Sequence, residues 1–74
     1  MRYWVKSHLS AAHTDSIVSA KNLCHEHIET LKKQGYGYSV WWAKLRDLHR
    51  DREKLIYCGR DGRYHQSRWH EIFI

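Results

Sequence analysis

The start of the chain alternates between two kinds of side chain with a period of two. One side of this pattern carries Tyr3, Val5, Ser7 and Leu9, and the other carries Arg2, Trp4, Lys6 and His8. Such alternation is typical of a strand with one buried face. We therefore predict a strand over residues 2–9 with an apolar face and a basic-aromatic face, followed by a connector over residues 10–14.

Apolar positions at helical spacing mark the segment 15–34 as an amphipathic helix. These positions are Ile17, Ala20, Cys24, Ile28 and Leu31, with Leu23 and His27 beside them. Thr14 or Asp15 is predicted to cap the N-terminus, and Gly35 to end the helix in a left-handed conformation. Glu29 and Lys33 are spaced as a favourable i,i+4 pair. Three acids and three bases cancel in this segment, so the excess positive charge of the protein lies elsewhere.

The segment 36–48 supports two interpretations. Its first half is rich in aromatic residues and contains Val40, which favours a strand. In a strand, Trp41 and Trp42 point to opposite faces, so one packs in the core and the other faces solvent or an interface. Trp41 and the leucines that follow also fit one helical face, so a helix over residues 39–53 is the alternative.

The dipeptide Asp61-Gly62 predicts a hairpin with a two-residue loop. This loop would pair Arg60 with Arg63, Cys58 with His65, and Ile56 with Ser67. The last segment, residues 69–74, is apolar enough for a packed terminal strand.

These elements predict a single compact domain over residues 1–74. The order β-α-β-β-β indicates an α+β fold of two layers, in which one amphipathic helix covers one face of a three- or four-stranded antiparallel sheet. A chain of 74 residues has only a thin hydrophobic core.

Charge and aromatic content indicate the kind of partner. The formal net charge is +5, and the chain contains four Trp, five Tyr and one Phe. Arg and Lys neutralise phosphates, and exposed rings stack on unpaired bases. We therefore predict a non-catalytic basic protein whose sheet face and hairpin loops contact nucleic acid. The candidate contact residues are Arg2, Trp4, Lys6, Trp42, Lys44, Arg46, Arg50, Arg52, Arg60, Arg63 and Arg68.

Three alternatives to nucleic-acid binding follow from the same residues. Arg alternates with Asp and Glu in places, as in residues 50–53, so the charges could form an ordinary solvated surface. In size, charge and predicted layout, the chain is similar to the small inhibitor proteins that phages make against host machinery, anti-CRISPR proteins among them. This similarity implies docking on a host protein or nucleoprotein complex, and it assigns no residue a role. A homodimer stabilised by the spare Trp is the third alternative.

Two cysteines and several histidines raise the question of a metal site. Cys24, His27, Cys58 and His65 would make a two-Cys, two-His zinc set if the predicted hairpin register holds. The chain has no Cys-x-x-Cys, and a one-residue shift would put Cys58 and His65 on opposite faces. We therefore expect two core cysteines, no metal and no cofactor.

Catalytic, membrane and export signals are not visible in the sequence. No nucleophile elbow, His-Glu-x-x-His or P-loop motif occurs, so we predict no enzymatic activity. The longest apolar run, residues 40–43, is too short to span a membrane. Residues 1–6 lack the apolar stretch of a secretory signal, and two cysteines are too few for a disulfide framework. We therefore expect reduced thiols and a cytoplasmic location.

Overall fold

A computed structural model of the protein describes residues 1–72. Within these residues the fold has one helix and six strands. The elements are β1 (Tyr3–Ser7), β2 (Ala11–Thr14), α1 (Ile17–Lys33), a 3-10 turn (Tyr38–Val40), β3 (Trp42–Asp47), β4 (Arg52–Cys58), β5 (Tyr64–Gln66) and β6 (His70–Glu71). The small α+β fold with an antiparallel sheet and one helix is confirmed, although the sheet has more strands than the predicted three or four.

The strands lie in the order β2-β1-β3-β4-β5, and β6 pairs with β4. Because β2 and β3 both pair antiparallel with β1, they run parallel to each other. Parallel strands need a crossover connection, and α1 is that connection. The helix packs mainly across β1 and β3, which leaves the opposite surface of the sheet uncovered by α1.

The core lies between α1 and the sheet. Its buried apolar residues are Tyr3, Val5, Ala20, Cys24, Ile28, Leu31, Ala43, Leu45, Ile56 and Cys58. Complete burial of a Val, Leu or Ile side chain contributes about 1.5–3 kcal/mol. Ala20 and Ala43 are also completely buried, and their small side chains let the helix lie close to the sheet.

The ends of α1 differ in part from the prediction. Ser16 caps the N-terminus, because its hydroxyl accepts the N–H of Ser19 at 3.4 Å. Thr14 belongs instead to β2. Gly35 ends the helix with a φ of 85°, as predicted. Glu29 pairs with Lys32 at 3.0 Å instead of with Lys33.

Residues 11–14 are an edge strand, so the predicted connector over 10–14 is wrong. The chain reverses in a tight turn in which the N–H of Ser7 donates to the carbonyl of Ser10 at 2.9 Å. The Ser7 hydroxyl accepts the N–H of Leu9 at 3.1 Å. Side-chain and backbone bonds of serine thus close a turn that carries no Asn-Gly or Asp-Gly signal.

The ambiguous central segment is a strand over Trp42–Asp47, and the alternative helix over residues 39–53 is wrong. Its aromatic beginning forms the 3-10 turn. Trp41 packs against the core cluster. Trp42 lies opposite Tyr57 on the other face of the sheet, as the alternation of a strand requires.

The hairpin after β4 differs from its predicted register by one residue. Cys58 pairs with Tyr64, and Ile56 pairs with Gln66. The loop covers residues 59–63 and is closed by the N–H of Gly59, which donates to the carbonyl of Arg63 at 2.9 Å. This longer loop replaces the predicted pairs of Arg60 with Arg63, Cys58 with His65 and Ile56 with Ser67. Of the packed terminal strand predicted over residues 69–74, only His70–Glu71 forms a strand, β6, and both residues are exposed. Residues 73–74 lie outside the described part of the chain.

Candidate nucleic-acid interface

The sheet surface opposite α1, called the open face below, collects five of the predicted contact residues. Strand register and alternation place on it Trp4, Lys6, Trp42, Lys44, Arg46, Glu53, Leu55 and Tyr57. On the flanking strands, His13, His65 and His70 pair with members of this set. The open face is therefore mostly basic and aromatic, with Glu53 as the one acid among the residues named.

Two lysines occupy the middle of the open face. Lys6 of β1 lies directly opposite Lys44 of β3, and both side chains are exposed. Their other cross-strand neighbours, Ala11 and Leu55, carry no charge. Within residues 1–72, neither ammonium group forms an ion pair. Like charges at directly opposed positions destabilise a sheet, so an anion held between these lysines would relieve a repulsion.

Trp4 forms an aromatic surface beside the lysines. The guanidinium carbon of Arg46 lies 5.4 Å from the centre of the Trp4 ring, and the ammonium nitrogen of Lys6 lies 5.9 Å from it. Arg46 also pairs with Glu53 at 3.5 Å. Both cations thus lie over the indole ring, which is itself half-buried. A base that stacked on this indole would have cations beside it for its phosphates.

A second aromatic group lies beyond the lysines. Trp42 is paired with Tyr57, whose ring stacks on His65 with a centre-to-centre distance of 5.3 Å and an interplanar angle of 23°. Positions two residues apart on one strand face are separated by about 6.6 Å. The positions of Trp4 and Trp42 are therefore about 13 Å apart along the strand direction, with the two lysines between them.

A cleft opens beside this second group, between the 3-10 turn and the loop after β4. Its volume is about 350 Å³. The lining residues are Tyr38, Ser39, Trp41, Trp42, Leu55, Tyr57, Cys58, Gly59 and Arg60. The guanidinium carbon of Arg60 lies 5.0 Å from the Tyr38 ring centre. The cleft therefore has aromatic walls and one cation, and no acid among its lining residues.

Two predicted contact residues, Arg2 and Arg52, are held by a buried carboxylate. Asp47 is completely buried; it pairs with Arg2 at 3.2 Å and with Arg52 at 3.7 Å. Burial by itself raises the pKa of Asp47, but hydrogen bonds from Arg2 and from the N–H of His49 hold it below its usual value. These guanidinium groups stabilise the ends of three strands, and both side chains remain partly exposed.

The remaining predicted arginines lie in connecting segments. Arg50 is in the turn between β3 and β4, Arg63 closes the loop after β4, and Arg68 follows β5. All three are exposed. The structure thus places them at the rims of the molecule, off the strands of the open face, whereas Arg60 borders the cleft.

Tyr57 and His65 belong to this surface but were not among the predicted contact residues. The position of Tyr57 follows from its pairing with Trp42 across β3 and β4. The position of His65 depends on the register of the hairpin after β4. The Asp61-Gly62 signal predicts a register that differs by one residue from the observed pairing. Alternation within β4 could have identified Tyr57, whereas no local signal identifies His65.

A polar cluster attaches β5 to α1 on the covered side. Lys32 places its ammonium nitrogen 5.0 Å from the Tyr64 ring centre and 5.3 Å from that of Trp41. The Tyr64 hydroxyl donates to Glu29. Burial and this hydrogen bond raise the pKa of Tyr64 to about 12, while hydrogen bonds with Cys58 and Glu29 raise the pKa of Lys32. These contacts join α1 to β5 at the protein surface and have a structural role.

The four residues considered for zinc do not converge. Cys58 is buried under the helix, whereas His65 pairs with Tyr57 on the open face. Burial raises the pKa of the Cys24 thiol to about 12, and His27 is hydrogen-bonded through Nδ1 to the Ser7 hydroxyl at 2.9 Å. Over the described range 1–72, no three His, Cys, Asp or Glu side chains are grouped so as to hold a metal ion.

Comparisons with known proteins identify no relative. Neither the family models, nor the curated proteins, nor the solved structures include a match to this chain. In the part of the chain that the structure describes, no helix has the length and apolar character needed to span a membrane.

Proposed function

We propose that the protein binds nucleic acid, without catalysis, through the open face. The observation that carries this proposal is the opposed pair of Lys6 and Lys44, which is flanked on both sides by the half-buried aromatic side chains of Trp4 and Trp42. A phosphate between the lysines would offset their mutual repulsion. Bases on either side would meet ring planes, and such stacking contributes about 1–3 kcal/mol per base.

The location of the charges supports the same proposal. Arg2 and Arg52 neutralise Asp47 within the structure, whereas Lys6 and Lys44 have no such partner within residues 1–72. A cytoplasmic location is part of the proposal, because both cysteines are buried free thiols and free thiols persist in reducing compartments.

Binding of labelled DNA and RNA over a salt series tests the proposal. We expect affinity to fall linearly with salt on logarithmic axes, and Lys44→Gln to reduce the slope by about 0.7 on a single strand. Lys33→Gln, in the last turn of α1, removes the same charge from the covered side and is the matched control. Absence of binding at low salt, or equal effects of the two variants, would exclude the open face as a nucleic-acid site.

A protein partner is the second candidate, and the composition of the cleft favours it. Tyr, Trp and Arg are the usual anchors of protein interfaces, and Tyr38, Trp42, Tyr57 and Arg60 all border the cleft. In this proposal the protein is an inhibitor that docks on a host nucleic-acid-handling protein and blocks it. Pull-down after nuclease treatment distinguishes the two candidates, since a stoichiometric partner is then retained. Light scattering tests the homodimer alternative.

A further inference from the structure

The cleft lies at one end of the open face, beside Trp42, and is continuous with it. Trp42, Leu55 and Tyr57 belong both to the open face and to the cleft lining. Lys44 is two residues from Trp42 on the same strand face, a separation of about 6.6 Å. If a phosphate binds at the lysine pair, the nucleoside attached to that phosphate can therefore reach the cleft.

The lining of the cleft matches a planar, partly polar ligand. Rings of Tyr38, Trp42 and Tyr57 border a volume of about 350 Å³, which is at the lower end of the range of about 300–1,000 Å³ for small-molecule sites. The hydroxyl of Ser39 and the guanidinium of Arg60 supply hydrogen-bonding groups. Ring walls with a few polar groups are how proteins recognise unpaired bases.

A base that enters a cleft must first leave any duplex. In a duplex the bases are stacked and paired, and extrusion of one base costs a few kcal/mol. The open face is the surface of a sheet five strands wide, whereas the major groove of duplex DNA admits an α-helix or a two-stranded β-ribbon. Charge complementarity supports a nucleic acid as the occupant, because Arg60 at the cleft and the lysine pair beside it are cationic.

We infer that the cleft holds one unpaired nucleobase, and that the nucleic acid bound by this protein is therefore single-stranded. This inference rests on the proposed function and adds the class of substrate. In this arrangement the Lys6–Lys44 pair holds the phosphate next to the base, and Tyr57 provides the stacking plane on the β4 side of the cleft.

The test compares two single strands of equal length and equal phosphate charge with each other, and both with a DNA duplex of the same length. Of the two single strands, one is an oligothymidylate and the other has the same phosphodiester backbone without bases. Affinities are measured for the unmodified protein, for Tyr57→Leu and for Tyr36→Leu. Tyr57 and Tyr36 are similarly exposed at 39% and 43%, so neither substitution should prevent folding. Tyr36 does not line the cleft, which makes Tyr36→Leu the matched control.

We expect Tyr57→Leu to weaken oligothymidylate binding about 5- to 150-fold and to leave the base-free strand almost unaffected. Tyr36→Leu should change neither affinity. Equal binding of the two strands by the unmodified protein, or tighter binding of duplex than of single strands, would overturn the inference but not the proposed function. If neither strand nor duplex binds, the inference and the proposed function both fail.

Discussion

Lys6 and Lys44 face each other on adjacent strands of the open face, and within residues 1–72 neither ammonium group forms an ion pair with a carboxylate. A fold selected for stability alone would place an acid at one of these positions, because opposite charges across a strand pair are favourable. The opposed lysines thus indicate that stability and ligand binding favour different residues at this position. Single substitutions can measure the effect on stability and the effect on binding separately.

Lys44→Glu should stabilise the protein while it weakens nucleic-acid binding. The new carboxylate would pair with Lys6 and increase the free energy of unfolding by about 0.2–1 kcal/mol, and it would repel phosphate. Chemical denaturation and strand binding are measured on the same variant. Lys33→Glu changes charge equally at the C-terminal end of α1, where an acid is unfavourable, and should lower stability slightly with little effect on binding. Loss of stability in Lys44→Glu would contradict this account.

Trp4→Ala and Trp69→Ala should have opposite consequences. Trp4 is on the open face, so its removal should weaken binding of a single strand by about 1–3 kcal/mol with little loss of stability. Trp69 packs against the core and lies 4.5 Å from the Arg52 guanidinium carbon, so its removal should lower the free energy of unfolding by about 2 kcal/mol. Denaturation midpoints and affinities of both variants check the assignment. Greater loss of stability from Trp4→Ala than from Trp69→Ala would show that the two faces are assigned wrongly.

The Asp47 carboxylate should make the fold sensitive to acid. Its pKa in the folded state is lowered from an unfolded value of about 3.9. The stability it contributes is therefore fully present above that value and is lost as the pH falls through the lower folded-state pKa. Asp47→Asn should remove this part of the acid dependence and cost about 3 kcal/mol at neutral pH, the lower end for a broken buried ion pair, since Arg2 and Arg52 are partly exposed.

Unfolding free energies of the unmodified protein and of Asp47→Asn, measured from neutral pH to below pH 4, check this prediction. Identical pH dependence in the two proteins would show that Asp47 is not the group that titrates.

Lys54→Met should leave the protein at least as stable as before. Lys54 is only 8% exposed, and burial, with the nearby charges of Lys21 and Arg52, lowers its pKa. The charged form of Lys54 is therefore disfavoured in the folded state. It lowers the free energy of unfolding at every pH below the folded-state pKa, where the side chain is protonated. Its bond to Gln66 at 2.8 Å is lost in Lys54→Met, but Gln66 is exposed and can bind water instead.

Thermal unfolding and strand binding of Lys54→Met check both parts of this prediction. The variant loses one positive charge away from the open face, so its affinity for a single strand should remain close to that of the unmodified protein. A fall of more than about 1 kcal/mol in stability would show that the ammonium is well compensated.

Local periodicity was sufficient to predict much of the fold. Alternation over residues 2–9 and helical spacing over residues 15–34 correspond to β1 and α1, and alternation placed Trp4 and Lys6 on one face. The edge strand β2 was missed because hydrogen bonds of serine close the turn before it. Local pattern does not reveal a turn whose stability comes from such side-chain bonds.

The candidate site depends on pairings that local sequence does not contain. Lys6 and Lys44 are far apart in the chain, and only the register of β1 with β3 makes them opposed. The hydrogen bond of Arg2 to Asp47 is equally long-range. A count of charges along the sequence includes Arg2 among the contact residues because it does not reveal this bond. The position of His65 depends on the length of the loop after β4, where a backbone bond from Gly59 to Arg63 overrides the Asp61-Gly62 signal.

The tryptophan indole N–H signals in a nitrogen–proton correlation spectrum test the central claim most directly. Trp4 and Trp42 lie on the open face, and Trp69 packs against the core on the opposite side. Single Trp substitutions assign the signals, and a short single-stranded oligonucleotide is then added at low salt. We predict that the Trp4 and Trp42 signals shift progressively while the Trp69 signal stays in place. A shift of Trp69 with Trp4 and Trp42 unchanged, or no shift at all, would contradict binding through the open face.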